Sequence, residues 1–247
     1  MKIGLIGFGV IGSRIGKAFK RDIKWVVDIR DVSEKMHNAG VFCPLLPTIP
    51  RRCGGVDLVV EAASQEAVAQ VAHCLRYADL MIMSVGALSD ERVLASLVAN
   101  AKKYGHKVFI PSGAIGGLDA VSAVAESAKE VILETLKPPS SLGRSDKKRK
   151  VIFEGTARDA CRLFPQNINV SATLALAGIG FERTKVRIIS DPAQKRNLHK
   201  ITIISDASRM VFEFDNYPSA QNPKTSELAA LSAVERIKKI NKIFQIG

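Results

Sequence analysis

The chain has 247 residues, of which 47% are hydrophobic and 24% are charged, and its formal net charge is +12. This composition indicates a globular protein long enough to bury a core in one large or two modest domains, and its short, interrupted apolar runs exclude a membrane-spanning helix. The positive charge is compatible with nucleic acid, a small anionic substrate or a dinucleotide as partner, and by itself selects none of them.

The first 112 residues alternate between strand-like and helix-like segments. The pattern of apolar residues predicts strands at 2–6, 24–28, 56–63, 80–85 and 106–112, and helices at 10–20, 65–78 and 89–105. Ser89 is the predicted N-cap of the last of these helices, and Gly105 is its stop signal. This alternation is typical of a parallel sheet with right-handed crossovers, as in the Rossmann fold.

The second half of the chain has a different order of elements. After an apolar segment at 130–137, the pattern predicts helices at 155–164 and 168–179, strands at 185–190, 199–205 and 209–214, and a final helix from about residue 226. Strands that follow one another without helices between them indicate a mixed or antiparallel sheet with helices on one face.

The two halves together predict an α/β protein with two domains. The first is a Rossmann-like, dinucleotide-binding domain with a parallel sheet, formed by residues 1–112 and completed by the C-terminal helix 222–247. The second is an α+β domain with a mixed or antiparallel sheet, residues 113–221, which we expect to bind the substrate and carry the catalytic groups.

Three glycines, Gly7, Gly9 and Gly12, stand between the first strand and the first helix with the spacing G-x-G-x-x-G. The motif alone is weak, but here a strand precedes it, a helix follows it, and Asp28 ends the second strand. Gly7 permits the tight turn, Gly9 the approach of a pyrophosphate, and Gly12 the close packing of helix on strand. Asp28 is expected to bind the adenosine ribose hydroxyls, which favours NAD. Arg30 could bind a 2′-phosphate, so NADP stays open.

Clusters of small residues follow three of the predicted strands, at 61–64, 84–87 and 112–117. In an open α/β sheet, ligands bind beyond the carboxyl ends of the strands, so these clusters are candidates for close contact with a nicotinamide ring. Each cluster taken singly could also be an ordinary tight turn.

The cysteines, histidines and basic residues indicate the cellular location and bear on metal and nucleic-acid binding. The four cysteines form no C-x-x-C pair, and a chain with a core of this size needs no disulfide, so we expect reduced thiols and a cytoplasmic location. The one dense basic run, RSDKKRK at 144–150, is expected to be a solvated loop. The scattered histidines and cysteines predict no metal site.

Several motifs together resemble those of the L-aspartate dehydrogenase family of archaea and bacteria. They are GFGVIG at 7–12, EAAS at 61–64, SVGA at 84–87, PSGAIGGLDA at 111–120, NINVSATLALAG at 167–178 and NPKTS at 222–226. The resemblance runs in order along almost the whole chain. It implies reversible oxidative deamination of L-aspartate with NAD or NADP, giving iminosuccinate that hydrolyses to oxaloacetate and ammonia or feeds NAD biosynthesis.

The resemblance also implies roles for three residues outside the glycine motif. His199 matches the family's catalytic histidine, while Ala114 and Asn169 match its cofactor contacts. It implies a homodimer with L-aspartate as its small-molecule partner, and we expect neither nucleic acid nor a membrane as a partner.

His199 also has independent support from its position in the sequence. Hydride leaves the α-carbon of an amino acid only if the amine is neutral, so the reaction needs a group that handles a proton near neutral pH, and histidine suits this task. On the strand 199–205, alternation places His199 on the same face as Ile201 and Ile203. A histidine on that covered face could equally be a core residue, and the family match favours the catalytic role.

Two other functions stay open at this point. One is a related two-domain dehydrogenase or reductase that acts on another amino acid or diacid, of the homoserine or dihydrodipicolinate type. The other is a non-catalytic NAD(H)-binding regulator whose basic surface holds nucleic acid. A substrate screen distinguishes the first alternative, and salt-dependent DNA binding distinguishes the second.

Overall fold

The computed structural model describes residues 1–164, 168–220 and 222–244. The chain divides into two units, Met1–Pro111 with Ala230–Phe244, and Ser112–Ala229. Residues 222–229, which the sequence analysis placed with the first domain, lie in the second unit, because the strand Asn222–Ser226 pairs with the strand Pro218–Ser219.

The first unit is an alternation of short strands and helices, labelled in chain order. Its strands are Ile3–Ile6 (β1), Ile23–Val27 (β2), Leu45–Leu46 (β3), Leu58–Glu61 (β4), Asp79–Ile82 (β5) and Val108–Phe109 (β6), and its helices are Val10–Ala18 (α1), Ser33–Asn38 (α2), Gln65–Val68 (α3) and Glu91–Tyr104 (α4). The six strands form one parallel sheet in the order β3-β2-β1-β4-β5-β6. The predicted Rossmann-like sheet is therefore confirmed.

The strand order fixes where this sheet binds ligands. The chain builds outward from β1 through β2 to β3, then crosses to β4 on the other side of β1 and continues to β6. The carboxyl ends of β1 and β4 thus border the switch point at which α/β sheets of this order bind dinucleotides. Strands β1 and β4 are buried along their whole length, which explains their almost uninterrupted apolar sequence.

Two sequence predictions in this unit need correction. The predicted helix 65–78 is α3 followed by a separate 3₁₀ helix, Ala72–Arg76. In a continuous α-helix, the Gln70 carbonyl would accept from the Cys74 N–H. Here the Gln70 carbonyl accepts from the His73 ring at 2.8 Å, and the Cys74 N–H donates to the Val71 carbonyl instead. The N-cap of α4 is Asp90, which accepts from the Arg92 N–H, whereas Ser89 belongs to a preceding 3₁₀ helix.

The second unit is built around a five-stranded mixed sheet. Its strands are Ala128–Lys137 (β7), Lys150–Thr156 (β8), Lys185–Ser190 (β9), Asn197–Ser205 (β10), Arg209–Asn216 (β11), Pro218–Ser219 (β12) and Asn222–Ser226 (β13), and its helices are Leu118–Ala123 (α5), Ala157–Leu163 (α6) and Asn169–Ala177 (α7). The large sheet has the order β11-β10-β7-β9-β8, and only its β7–β9 pair is parallel. The predicted mixed sheet is confirmed.

The last helix, Glu227–Ile240 (α8), contributes to the core of the first unit. Ala233, Val234 and Ile237 are buried in one apolar cluster with side chains of β1, β2 and β4. Leu231, three residues before Val234 in the same helix, is instead about half exposed. No helix in the described ranges is long and apolar enough to cross a bilayer.

Candidate active site

The junction between β1 and α1 can be built only with glycine at two positions. Gly7 has a φ of +89°, and a Cβ added there would lie 2.5 Å from the Ala62 carbonyl oxygen, at the carboxyl end of β4. A Cβ on Gly12 would lie 2.0 Å from the Gly7 carbonyl oxygen. Both distances are far shorter than a van der Waals contact, so any side chain at Gly7 or Gly12 would clash. Glycine at these positions therefore allows β1, α1 and the end of β4 to pack as closely as the motif requires.

Gly9 differs from its two neighbours, because a Cβ added there would meet no atom within 4 Å. Its space is open, and Gly9 is the N-cap of α1, so the N–H groups of the first helical turn lie beside this space. The positive end of a nine-residue helix next to an open backbone position is the arrangement that accepts a pyrophosphate. The residues present therefore fit a dinucleotide.

Asp28, directly after β2, is buried and held by three groups. Its carboxylate accepts from the Phe8 N–H at 2.9 Å and from the Arg30 N–H at 3.0 Å, and the Arg30 guanidinium pairs with both oxygens at 3.0 and 3.2 Å. Burial opposes ionisation of Asp28, but the Arg30 and Phe8 hydrogen bonds outweigh it and lower the pKa of the carboxyl. Asp28 is thus an anion fixed beside the glycine turn, with a cation on its exposed side.

Glu61, the last residue of β4, is a functional candidate that stands out in the sequence only as part of the small-residue cluster at 61–64. It is fully buried and accepts from the N–H groups of Ala63 and Ser64 at 2.8 and 3.0 Å and from the N–H and hydroxyl of Ser84 at 3.0 and 2.8 Å. Burial raises the pKa of Glu61, and these four donors oppose that rise. Glu61 ties the loop after β4 to the loop after β5, at the carboxyl edge of the sheet.

In the second unit, His199 lies on the buried face of β10, as predicted from alternation with Ile201 and Ile203. In the register of β10 with β7, His199 stands opposite Thr135, whose Oγ1 is 3.0 Å from His199 Nδ1. Lys137 is two residues further along β7, on the same face, and is also buried. Two basic side chains therefore share one covered face of the mixed sheet.

Burial shifts both basic groups toward their neutral forms. Desolvation, together with the charge of Lys137, lowers the pKa of His199 to about 3, and desolvation lowers the pKa of Lys137 to about 8. His199 is thus a neutral imidazole at pH 7, whereas Lys137 still carries most of its positive charge. A buried cation and a neutral base on one face suit an anionic substrate that gives up a proton.

Ala114 and Asn169, the other predicted cofactor contacts, lie in the second unit. Ala114 is buried in the loop that precedes α5, and its carbonyl accepts from the buried Asn216 side chain at 2.9 Å. Asn169 is exposed and is the first residue of α7. Within each unit, the structure therefore groups Gly7, Gly9, Gly12 and Asp28 in one place, and ties Ala114 to the end of β11.

Comparison with known proteins gives the family. A family model described as the C-terminal part of aspartate dehydrogenase matches residues 119–240. L-aspartate dehydrogenase of Methanosarcina barkeri is 40% identical, in an alignment that covers 100% of this chain and 99% of the relative. The chain belongs to the L-aspartate dehydrogenase family.

The solved structures agree with membership of the L-aspartate dehydrogenase family. The crystal structure of aspartate dehydrogenase from Thermotoga maritima matches with a TM-score of 0.85 at 33% identity, over 100% of this chain and 99% of the other. A hyperthermophilic archaeal homoserine dehydrogenase matches with a TM-score of 0.58 at only 11% identity, which shows a shared fold alone. Residues 7–111 match the model described as the homoserine dehydrogenase NAD-binding domain, so the first unit is an NAD-binding domain.

Proposed function

We propose that this chain is an NAD(P)-dependent L-aspartate dehydrogenase, which converts L-aspartate reversibly to iminosuccinate, and through its hydrolysis to oxaloacetate and ammonia. The observation that carries the proposal is the buried pair of His199 and Lys137 on one face of the mixed sheet. His199 is a neutral base that can accept a proton from the ammonium group of a dicarboxylic amino acid. Lys137 keeps a positive charge that can pair with one of its carboxylates.

The dinucleotide, when bound, takes up the hydride from the α-carbon. Gly9 and the first turn of α1 would hold its pyrophosphate, Asp28 would accept from a ribose hydroxyl, and Ala114 and Asn169 would supply further contacts. Glu61 would act as a positioning residue, because its four hydrogen bonds fix the loops after β4 and β5.

The proton chemistry would fall to the second unit. Lys137 would attract a substrate carboxylate, and His199 would accept the proton that the α-ammonium group loses before the hydride leaves. In the free protein His199 is a weak base, because its site is dry and Lys137 is near. The two carboxylates of the substrate would raise the pKa of both groups, so the acceptor becomes basic when the substrate is present.

Both NAD and NADP fit the residues around Asp28. The carboxylate favours the two free hydroxyls of the NAD ribose, and Arg30, whose side chain is about two-thirds exposed, has a guanidinium that could move from Asp28 to a 2′-phosphate. We therefore propose NAD as the preferred cofactor and NADP as an accepted one.

The physiological setting is also part of the proposal. The chain would work in the cytoplasm as a homodimer and supply iminosuccinate to NAD biosynthesis, without nucleic acid or membrane partners. Four paired arginines support the absence of a nucleic-acid partner, because their charge is already met by acids: Arg92 with Asp90, Arg144 with Asp146, Arg187 with Glu134 and Glu154, and Arg196 with Asp215. Sedimentation velocity tests the dimer.

The decisive experiment follows absorbance at the NADH band while the purified protein is offered L-aspartate, L-glutamate, L-homoserine and L-alanine, each with NAD and with NADP. We expect turnover with L-aspartate and little with the other three, and turnover of oxaloacetate with ammonia in the reverse direction. Activity with L-homoserine that exceeds activity with L-aspartate would contradict the proposal, as would the absence of turnover in a protein that binds NADH.

A further inference from the structure

Two cysteines in the first unit lie side by side and take no part in the candidate active site. Cys53 is in the segment between β3 and β4, and Cys74 is in the 3₁₀ helix before β5. Both are fully buried, and their sulfur atoms are 2.6 Å apart. This is about 0.5 Å longer than a disulfide bond, so the backbone already places the two sulfurs for cross-linking.

His73 lies next to this pair and is held in place by backbone carbonyls. Its Nε2 is 3.9 Å from the Cys53 sulfur and 3.8 Å from the Cys74 sulfur. The same ring contacts the Gln70 carbonyl oxygen through Nδ1 at 2.8 Å and the Pro50 carbonyl oxygen through Nε2 at 2.9 Å. A fixed ring at this distance can act on the ionisation of the thiols without moving.

The two thiols are not equivalent. The hydrogen bond from Cys74 lowers the pKa of Cys53, burial opposes this, and the charge of His73 adds to the lowering. The hydrogen bond to Cys53 and burial both raise the pKa of Cys74. Cys53 therefore ionises first and is the nucleophile of the pair, while Cys74 is the resolving thiol, which attacks second.

Access to the pair is through the Cys53 segment. Arg51 and Arg52 before Cys53 and Gly54 and Gly55 after it are all exposed. A Cβ added to either glycine would meet no atom within 4 Å, so the segment is not packed against the rest of the unit at these positions. Local opening of such a segment exposes its one buried side chain without unfolding the sheet.

We propose that Cys53 and Cys74 form a redox-active dithiol, which a small-molecule disulfide converts to an intramolecular disulfide. The Cys53 thiolate attacks one sulfur of the reagent, breaks its S–S bond and releases one thiolate, which takes the proton of Cys74. The Cys74 thiolate then attacks the Cys53 sulfur and releases the second thiolate, which is protonated by solvent. The two cysteines are oxidised, and the reagent is reduced to two thiols.

The consequence is a cross-link that spans the whole of β4 and α3. It joins the segment before β4 to the helix before β5, so it lies at the amino-terminal edge of the parallel sheet, whereas Gly7 and Glu61 lie at the carboxyl edge. We therefore expect oxidation to raise the temperature of unfolding by about 5–10 °C and to leave dinucleotide binding unchanged.

The test treats the full chain with oxidised glutathione, alkylates the remaining thiols and digests the protein with trypsin. No lysine or arginine lies between Arg52 and Arg76, so Cys53 and Cys74 fall in a single peptide. We expect this peptide to be about 2 Da lighter than its reduced form and free of alkylation, while Cys43 and Cys161 are alkylated. The gain in unfolding temperature should disappear with a reductant and in Cys53→Ser and Cys74→Ser proteins, and should persist in Cys161→Ser.

His73→Gln tests the role of the ring separately. We expect this variant to reach the same final oxidation, about tenfold more slowly, with the pH midpoint for Cys53 alkylation moved upward. Three results would overturn the proposal: alkylation of both cysteines after oxidation, a glutathione adduct on Cys53 as the final product, or a bound Zn²⁺ that must be removed before the thiols react. The last would mean that Cys53, His73 and Cys74, whose ligand atoms lie within 4.8 Å of one another, hold a metal ion.

Discussion

The two units bury charge in opposite ways. In the first unit, Asp28 and Glu61 are each surrounded by hydrogen-bond donors from neighbouring loops. In the second, His199 is buried against Thr135 and beside another basic group, Lys137, and its pKa falls to about 3. We infer from this difference that the carboxylates would hold the loops of the dinucleotide site rigid, whereas the second unit would supply an unprotonated base for the substrate.

The largest expected effect comes from removing that base. His199→Ala should lower kcat for L-aspartate oxidation by about 10²- to 10⁴-fold, because a positioned acid–base group contributes about that factor. Steady-state kinetics at saturating NAD measures it. His37→Ala, which removes an exposed histidine of α2, is the matched control and should keep wild-type turnover. If His199→Ala kept near-wild-type kcat, the catalytic role would be wrong.

The second effect concerns the carboxylate of the first unit. Asp28→Ala should weaken NAD binding by about 1.5–3 kcal/mol, or about 10- to 150-fold, because the ribose loses a charged hydrogen-bond acceptor. NADP binding should weaken less, since the carboxylate repels a 2′-phosphate and its loss frees Arg30. Titration of both cofactors into both proteins measures the difference. Equal losses would remove Asp28 from the ribose site.

A smaller effect should follow from removing the buried cation of the second unit. Lys137→Met preserves the length of the side chain and should raise KM for L-aspartate about tenfold, because a carboxylate loses its counter-charge. KM for NAD should stay the same. The decline of aspartate binding above the pKa of Lys137, about 8, should also disappear from the pH profile. A change in kcat alone, with KM unaltered, would contradict this role.

The last effect is on stability rather than on activity or binding. Because the pKa of His199 is about 3 when folded and near its ordinary 6.5 when unfolded, the unfolded chain binds more protons between these pH values. Stability should therefore fall as the pH is lowered from 6.5 toward 3, with a contribution of at most about 1.4 kcal/mol per pH unit from this residue. In His199→Gln, the free energy of unfolding measured with urea should fall less steeply as the pH is lowered. An equal pH dependence of the unfolding free energy in the two proteins would show that the imidazole is not buried as described.

The two sites also differ in how far the sequence could predict them. Gly7, Gly9, Gly12 and Asp28 follow from local geometry, because a strand, a turn and a helix are contiguous in the chain and the spacing specifies their contacts. The face of His199 also followed from alternation along one strand. The C-cap of α4 at Gly105, with its positive φ, was predicted for the same local reason.

The residues that the sequence did not reveal depend on pairing between distant segments. Thr135 meets His199 across 64 residues, and Asn216 meets Ala114 across 102 residues, so neither pair has a local pattern. Nothing in the sequence showed that Lys137, at the end of the apolar segment 130–137, is buried, and its burial follows from the register of β7. Glu61 carried one readable signal, a carboxylate ending an otherwise apolar strand. The short elements β3, α2 and α5 were missed because they contain too few residues to show a period. Strand β8 is longer, but it lies at the edge of the mixed sheet and has no buried residue, so its sequence shows no alternation.

The most direct test of the division of roles between the two units is the dissociation constant of NADH from the His199→Ala protein. The site residues of the first unit are unchanged in this variant, so NADH should bind within about twofold of wild type although turnover with L-aspartate has fallen by at least about 100-fold. A loss of NADH affinity that parallels the loss of turnover would show that His199 serves the dinucleotide rather than the substrate's proton, and would contradict the account.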